Sequence, residues 1–104
     1  MNLSEFGRFA DPALLIMVSL ADGAKHGYAM MDDIAQLSGI RIGPGTLYGA
    51  LSRLEERALI EALPAEDRRH PYQLTPAGKV FLQEQLERWH KLTGAGLTRL
   101  AGQS

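Results

Sequence analysis

Two short stretches of this 104-residue chain carry side chains suited to gripping a polyanion. The first runs Gly43-Pro44-Gly45-Thr46-Leu47-Tyr48 and continues through Ser52 and Arg53. Its outward side chains are short or planar polar groups of the kind that reach base edges in a major groove. A helix opened by Pro44 would also aim free N–H groups at a nearby phosphate. Gly45 and Gly49 remove bulk where a backbone would come close to its ligand. The second stretch, Arg68-Arg69-His70, gathers two guanidinium groups and an imidazole on a polar turn. Such groups hold phosphates or enter a minor groove. Each stretch alone also fits a plainer role. The helix could be a solvated amphipathic one with Tyr48 half in the core, and the arginines could pair with Glu66 and Asp67. Taken together, the two favour contact with a nucleic acid.

The elements that must position these residues follow from the pattern around them. Asp11-Pro12 opens a helix, since the carboxylate caps free N–H groups and proline fits the first turn. Leu14, Leu15, Ile16, Met17, Val18 and Leu20 make that helix apolar on nearly every side, which demands burial all round, and Gly23 ends it. A second helix is expected from Gly27 to Ser38 on the stripe Met30, Met31, Ile34 and Leu37, with Gly39 as its stop. Ile40-Arg41-Ile42 alternates like a very short strand. Gly43 then caps a third helix with Pro44 at its first position, and Leu47, Leu51, Leu54 and Ala58 fall on one face.

Ile60 to Leu63 and Tyr72 to Leu74 read as strands, joined by the polar run from Pro64 to Pro71 as a projecting hairpin. Thr75-Pro76 caps a last helix carrying Val80, Leu82, Leu86, Trp89, Leu92, Leu97 and Leu100, weakened near its end by Gly94 and Gly96. The sum is a mainly α chain with a small β-hairpin, laid out as a winged helix-turn-helix. Residues 1–75 form the DNA-binding part and residues 76–104 a C-terminal dimerisation helix, in one folding unit.

Composition narrows the function classes. Apolar residues make up 45% and charged residues 22%, which excludes global disorder. A net charge of −1 excludes whole-surface attraction to nucleic acid, so any binding must come from a local patch. The absence of cysteine excludes disulfides, thiolate catalysis and cysteine-ligated zinc. His26, His70 and His90 lie too far apart in sequence for a metal motif, and no cofactor is expected. No nucleophile–base set or phosphate loop occurs, so an enzyme is not expected. The start Met1-Asn2-Leu3-Ser4-Glu5 lacks the basic cluster of a signal peptide, and Ala13 to Leu20 falls short of a membrane span, giving a cytoplasmic expectation.

The motifs His26-Gly27-Tyr28, Pro44-Gly45-Thr46-Leu47-Tyr48, Leu54-Glu55, Leu59-Ile60, Arg68-Arg69 and Tyr72-Gln73-Leu74-Thr75-Pro76-Ala77-Gly78 together resemble the PadR family of bacterial transcriptional regulators. The resemblance covers roughly Pro12 to Leu86, and the lone C-terminal helix looks like the short subfamily. It implies a homodimeric DNA-binding regulator, usually a repressor released by a small ligand. On this pattern Gly45, Thr46, Tyr48, Ser52 and Arg53 face DNA from the third helix, and Arg68, Arg69 and His70 do so from the wing. Lys25, His26 and Tyr28 would add phosphate contacts. Gly43, Ala29 and Gly49 depart from the family's usual serine, acidic residue and proline.

A dimer is expected on physical grounds too, because the apolar face of the last helix needs cover. Leu82, Leu86, Trp89 and Leu92 are its expected contacts, with Leu15 and Val18 helping. Trp89, the single tryptophan, is either an interface anchor or a platform for a flat, aromatic or drug-like effector. The competing function is a winged helix used only to bind proteins, distinguishable because DNA binding weakens steeply with salt.

Overall fold

The computed structural model describes residues 11–103; the segment Met1–Glu5, on which the leader expectation rests, lies outside the described residues. Four helices and one hairpin follow in the order α1 (Pro12–Leu20), α2 (Gly27–Ser38), α3 (Pro44–Glu56), β1 (Ile60–Ala62), β2 (Tyr72–Leu74) and α4 (Pro76–Ala101). Three of the four helix starts have a local cause. Asp11 accepts from the Ala13 N–H at 2.9 Å, and Pro12 and Pro44 occupy first-turn positions whose N–H groups would be unpaired anyway. Thr75 Oγ1 caps α4 by accepting from the Gly78 N–H at 2.9 Å. Gly39 ends α2 in the left-handed conformation, φ 73°, which glycine adopts without steric cost.

The core is one cluster. Ile16, Met17 and Leu20 of α1 meet Met30 and Ile34 of α2, Leu47, Leu51 and Leu54 of α3, Ile60 and Leu74 of the strands, and Leu82 of α4. α1 touches every other helix, as its apolar circumference requires. Leu15 and Val18 remain half-buried at the cluster's edge. Leu82, expected on an open interface, is instead buried within its own subunit. The sequence pattern could not separate these cases, since one stripe serves both the domain core near Pro76 and the projecting end of α4.

Three further differences have physical reasons. Residues 40–42 are not a strand: the segment links Gly39 to the α3 cap, and no described strand runs beside it to complete a ladder. Ala58 leaves the α3 face and adopts φ 57°, turning the chain so that Leu59 N–H reaches the Leu54 carbonyl at 3.0 Å. The run from Pro64 to Pro71 is not one open loop. Leu63 N–H donates to Pro71 O, Glu66 and Arg69 exchange both backbone hydrogen bonds, and Asp67 and Arg68 both take positive φ (48° and 69°). That is a two-residue turn of type I′, whose twist matches a right-handed hairpin.

β1 and β2 pair antiparallel, Ile60 with Leu74 and Ala62 with Tyr72. On its other side Tyr72 exchanges backbone hydrogen bonds with Lys25, at 2.9 and 3.0 Å, so the start of α2 is laced to the wing. α4 has 26 residues, about 39 Å at 1.5 Å per residue, and stretches the molecule to 56 × 29 × 20 Å. Beyond Trp89 every described side chain of α4 is exposed. No helix among the described residues is long and apolar enough to cross a membrane.

Candidate nucleic-acid interface

The lacing of Lys25 to Tyr72 brings three remote parts of the sequence to one place. A cleft of about 220 Å³ is lined by His26, Gly27 and Tyr28 from the start of α2, Tyr48 from α3, and Arg68, Arg69, His70 and Tyr72 from the wing. Six of the residues expected to face DNA therefore share one concavity. The Arg69 guanidinium lies over the Tyr28 ring, 5.9 Å from its centroid, a cation–π arrangement that steadies a long side chain. His70 Nδ1 lies 2.9 Å from the Leu63 carbonyl oxygen, fixing the imidazole against the opposite arm of the wing. Tyr48 leans over α2: a Cβ at position 27 would sit 2.7 Å from its hydroxyl oxygen and 3.3 Å from Leu47 Cδ2. Gly27 thus lets α2 and α3 approach closely while half of Tyr48 stays exposed.

The remaining expected contacts are arranged around this cleft. Gly45 and Thr46 are exposed in the first turn of α3, where no side chain caps the helix and no acidic residue opposes an anion. Ser52 and Arg53 continue along its exposed side, and Arg53 reaches a separate depression beside Asp11 and Arg57. Lys25 is placed differently. Its ammonium donates to the Ser19 carbonyl and the Asp22 carboxylate and lies 4.0 Å from Asp33, which in turn accepts from Ser19 Oγ at 2.7 Å. Lys25 therefore clamps the end of α1 to α2, and its hydrogen bond and then its charge hold the Asp22 carboxyl below its ordinary pKa.

Two residues in or beside the cleft were not among the expected contacts. Tyr72 lines it, and burial first, then the charges of Glu55 and Tyr48, raise its phenol above the ordinary value. Alternation along Tyr72-Gln73-Leu74 signals that Tyr72 shares a face with buried Leu74. Glu66 carries its carboxylate to within 3.7 Å of His26 Nε2, a meeting that depends on the hairpin turn and leaves no mark in the sequence.

Residues 16–84, which span the core, the cleft and the wing, match the transcriptional regulator PadR-like family. The chain belongs to that family. A transcriptional regulator of Mycobacterium tuberculosis is 38% identical to this PadR-like chain over 85 residues, covering 79% of this chain and 78% of that protein. An uncharacterized transposon protein of Streptomyces fradiae is 45% identical over 87 residues, 84% of this chain but 25% of that protein. The chain thus spans about a quarter of the length of that longer relative. Among solved structures, a PadR family transcription regulator from hypervirulent Clostridium difficile superposes with a TM-score of 0.76 at 26% identity, over 86% of this chain and 97% of that one. A transcriptional regulator from Clostridium thermocellum gives 0.71 at 28% identity, over 84% and 89%. The family and these neighbours are regulators rather than enzymes. The chain thus has the winged helix-turn-helix of the PadR-like regulators.

Proposed function

We propose that this PadR-like chain acts as a homodimeric, ligand-responsive repressor that reads a pseudo-palindromic operator. α3 enters the major groove with Gly45, Thr46, Tyr48, Ser52 and Arg53, while Arg68, Arg69 and His70 on the wing and His26 and Tyr28 on α2 hold the flanking phosphates. The observation that carries this is the single cleft in which the start of α2, Tyr48 and the cationic wing meet. A net charge of −1 means attraction must be local, and the cleft brings Arg68 and Arg69 together with His26 and His70. Lys25 contributes by holding the α2 start in place rather than as a free charge.

The dimer is supported by α4. Leu86, Leu92, Leu97 and Leu100 are exposed along it, and an apolar face of that length seeks a partner. Twofold pairing would set two α3 helices roughly 34 Å apart, one turn of duplex. Leu86, Trp89 and Leu92, with Leu15 and Val18, are the proposed contacts. A groove of about 600 Å³ between the end of α1, β2 and α4, floored by Leu74, Leu82 and Leu86, has room for a small apolar effector. Trp89 lines a second depression on another side of α4, against Leu14, Met17 and Phe81, which favours the anchoring role for it.

The deciding experiment replaces Arg68 and Arg69 together by alanine and measures binding to genomic operator fragments over a range of salt. Each lost phosphate contact removes nearly one counterion, so the log–log salt slope should flatten by about two units. Unchanged affinity and slope would remove the wing from the interface.

A further inference from the structure

The carboxylate of Glu66 sits in surroundings otherwise built for an anion. It faces His26 at the mouth of the cleft, with Arg68, Arg69 and His70 following it along the wing. The first turn of α2, just beyond His26, has no side-chain cap and no acidic residue, so its N–H groups add positive potential there. The backbone of Glu66 is fixed by its paired hydrogen bonds with Arg69, but its side chain is largely exposed.

The contact is close enough for attraction and too long for a hydrogen bond. At 3.7 Å from His26 Nε2 the carboxylate is weakly held and exchangeable. The other ring nitrogen, Nδ1, is buried with no hydrogen-bond partner among the described residues. Of the two neutral tautomers, one would bury an unsatisfied N–H at Nδ1, which is unfavourable. The favoured tautomer carries its proton on Nε2 and presents a donor toward the place Glu66 occupies.

We propose that Glu66 is a built-in stand-in for a DNA phosphate: its carboxylate holds the seat facing His26 in the free protein and leaves it when the duplex arrives. This rests on the DNA-binding role proposed above and adds a brake to it. Glu66 lowers affinity for every sequence alike, because the exchange trades one anion for another. The remaining charges near the seat do not fill it. Asp22 is engaged by Lys25, and Asp67 lies in the turn beyond Glu66.

The test compares wild type, Glu66→Gln, His26→Phe and the double variant by fluorescence anisotropy. The probe is a labelled mixed-sequence duplex, and binding is followed at several salt concentrations. Glu66→Gln should bind about three- to ten-fold more tightly at low salt, with a slope steeper by up to about one unit. In the His26→Phe background the same change should gain less than about two-fold, because the ring is kept and the donor that makes the seat is gone. His26→Leu replaces His26→Phe, and Glu66→Ala replaces Glu66→Gln, should either fail to fold by circular dichroism. Equal or weaker binding by Glu66→Gln overturns the proposal. So does a gain of equal size in both backgrounds, which would make Glu66 a diffuse charge acting at a distance. Wild type failing to bind the duplex in a salt-dependent way would overturn the DNA-binding role itself, and the brake with it.

Discussion

Replacing Gly78 by alanine tests the joint on which wing and long helix both depend. A Cβ at this position would overlap the Leu59 carbonyl oxygen and lie 2.9 Å from its carbonyl carbon and 3.3 Å from its Cα. All three are backbone atoms that no rotamer change can move. Relief requires α4 to back away from β1, and two interactions stand in the path. Thr75 N–H donates to Leu59 O at 3.1 Å, and Thr75 Oγ1 joins the Gly78 N–H to the Ala58 carbonyl. Losing the cap costs about 1 kcal/mol, losing the backbone bond about 1 kcal/mol, and residual overpacking about 1–3 kcal/mol. Alanine returns about 1 kcal/mol through helix propensity. The net is a loss of about 2–4 kcal/mol from a total of roughly 5–15. In a chain of this size that lowers Tm by about 10–25 °C. Melting followed by circular dichroism at equal protomer concentration reads it directly. Gly94→Ala, in the same helix with nothing within 4 Å, should instead gain about 0.5–1 kcal/mol. A Gly78→Ala protein melting within about 3 °C of wild type would refute the steric reasoning.

Other outcomes follow from the same geometry. Ile34→Ala empties a fully buried site in the central cluster and should cost about 2–5 kcal/mol in urea unfolding. Arg68→Gly relieves a left-handed residue, so it should stabilise the fold by about 1 kcal/mol while flattening the DNA salt slope by about one unit. The raised phenol of Tyr72 favours the folded state below the unfolded phenol's pKa, and that contribution is lost as pH rises through the folded value. Stability should therefore fall with alkalinity above about pH 10, and Tyr72→Phe should show a shallower decline over the same range.

Helix starts were the most legible part of this chain, because capping is written in adjacent residues: Asp11-Pro12, Gly43-Pro44 and Thr75-Pro76 each opened a helix where expected. Gly39 likewise marked its stop. Segment 40–42 misled because alternation signals half-burial, and a linker with Ile40 and Ile42 half-buried reads the same as a strand without its ladder. The turn at Asp67-Arg68 was hidden because positive φ is usually announced by glycine or asparagine, and neither is present. The cleft was half legible. Its residue types were visible in three separate motifs, but the meeting of His26 with Glu66 depends on long-range backbone pairing that no local pattern encodes. Lys25 shows the converse: a cation beside His26 looked available in sequence, yet the carbonyl of Ser19 and the carboxylate of Asp22 claim it.

β2 is only three residues long, and both of its margins are fastened. Tyr72 is tied to Lys25 on one flank and to Ala62 on the other, and the residue after Leu74 is held by the Leu59 carbonyl as it begins α4. Such a short splint has no slack to absorb rotation. A tilt of the 26-residue helix must be handed on to the root of the wing and the front of α2, much as a long oar turns its rowlock. Whatever sets the angle of α4 also sets the aim of Arg68 and Arg69.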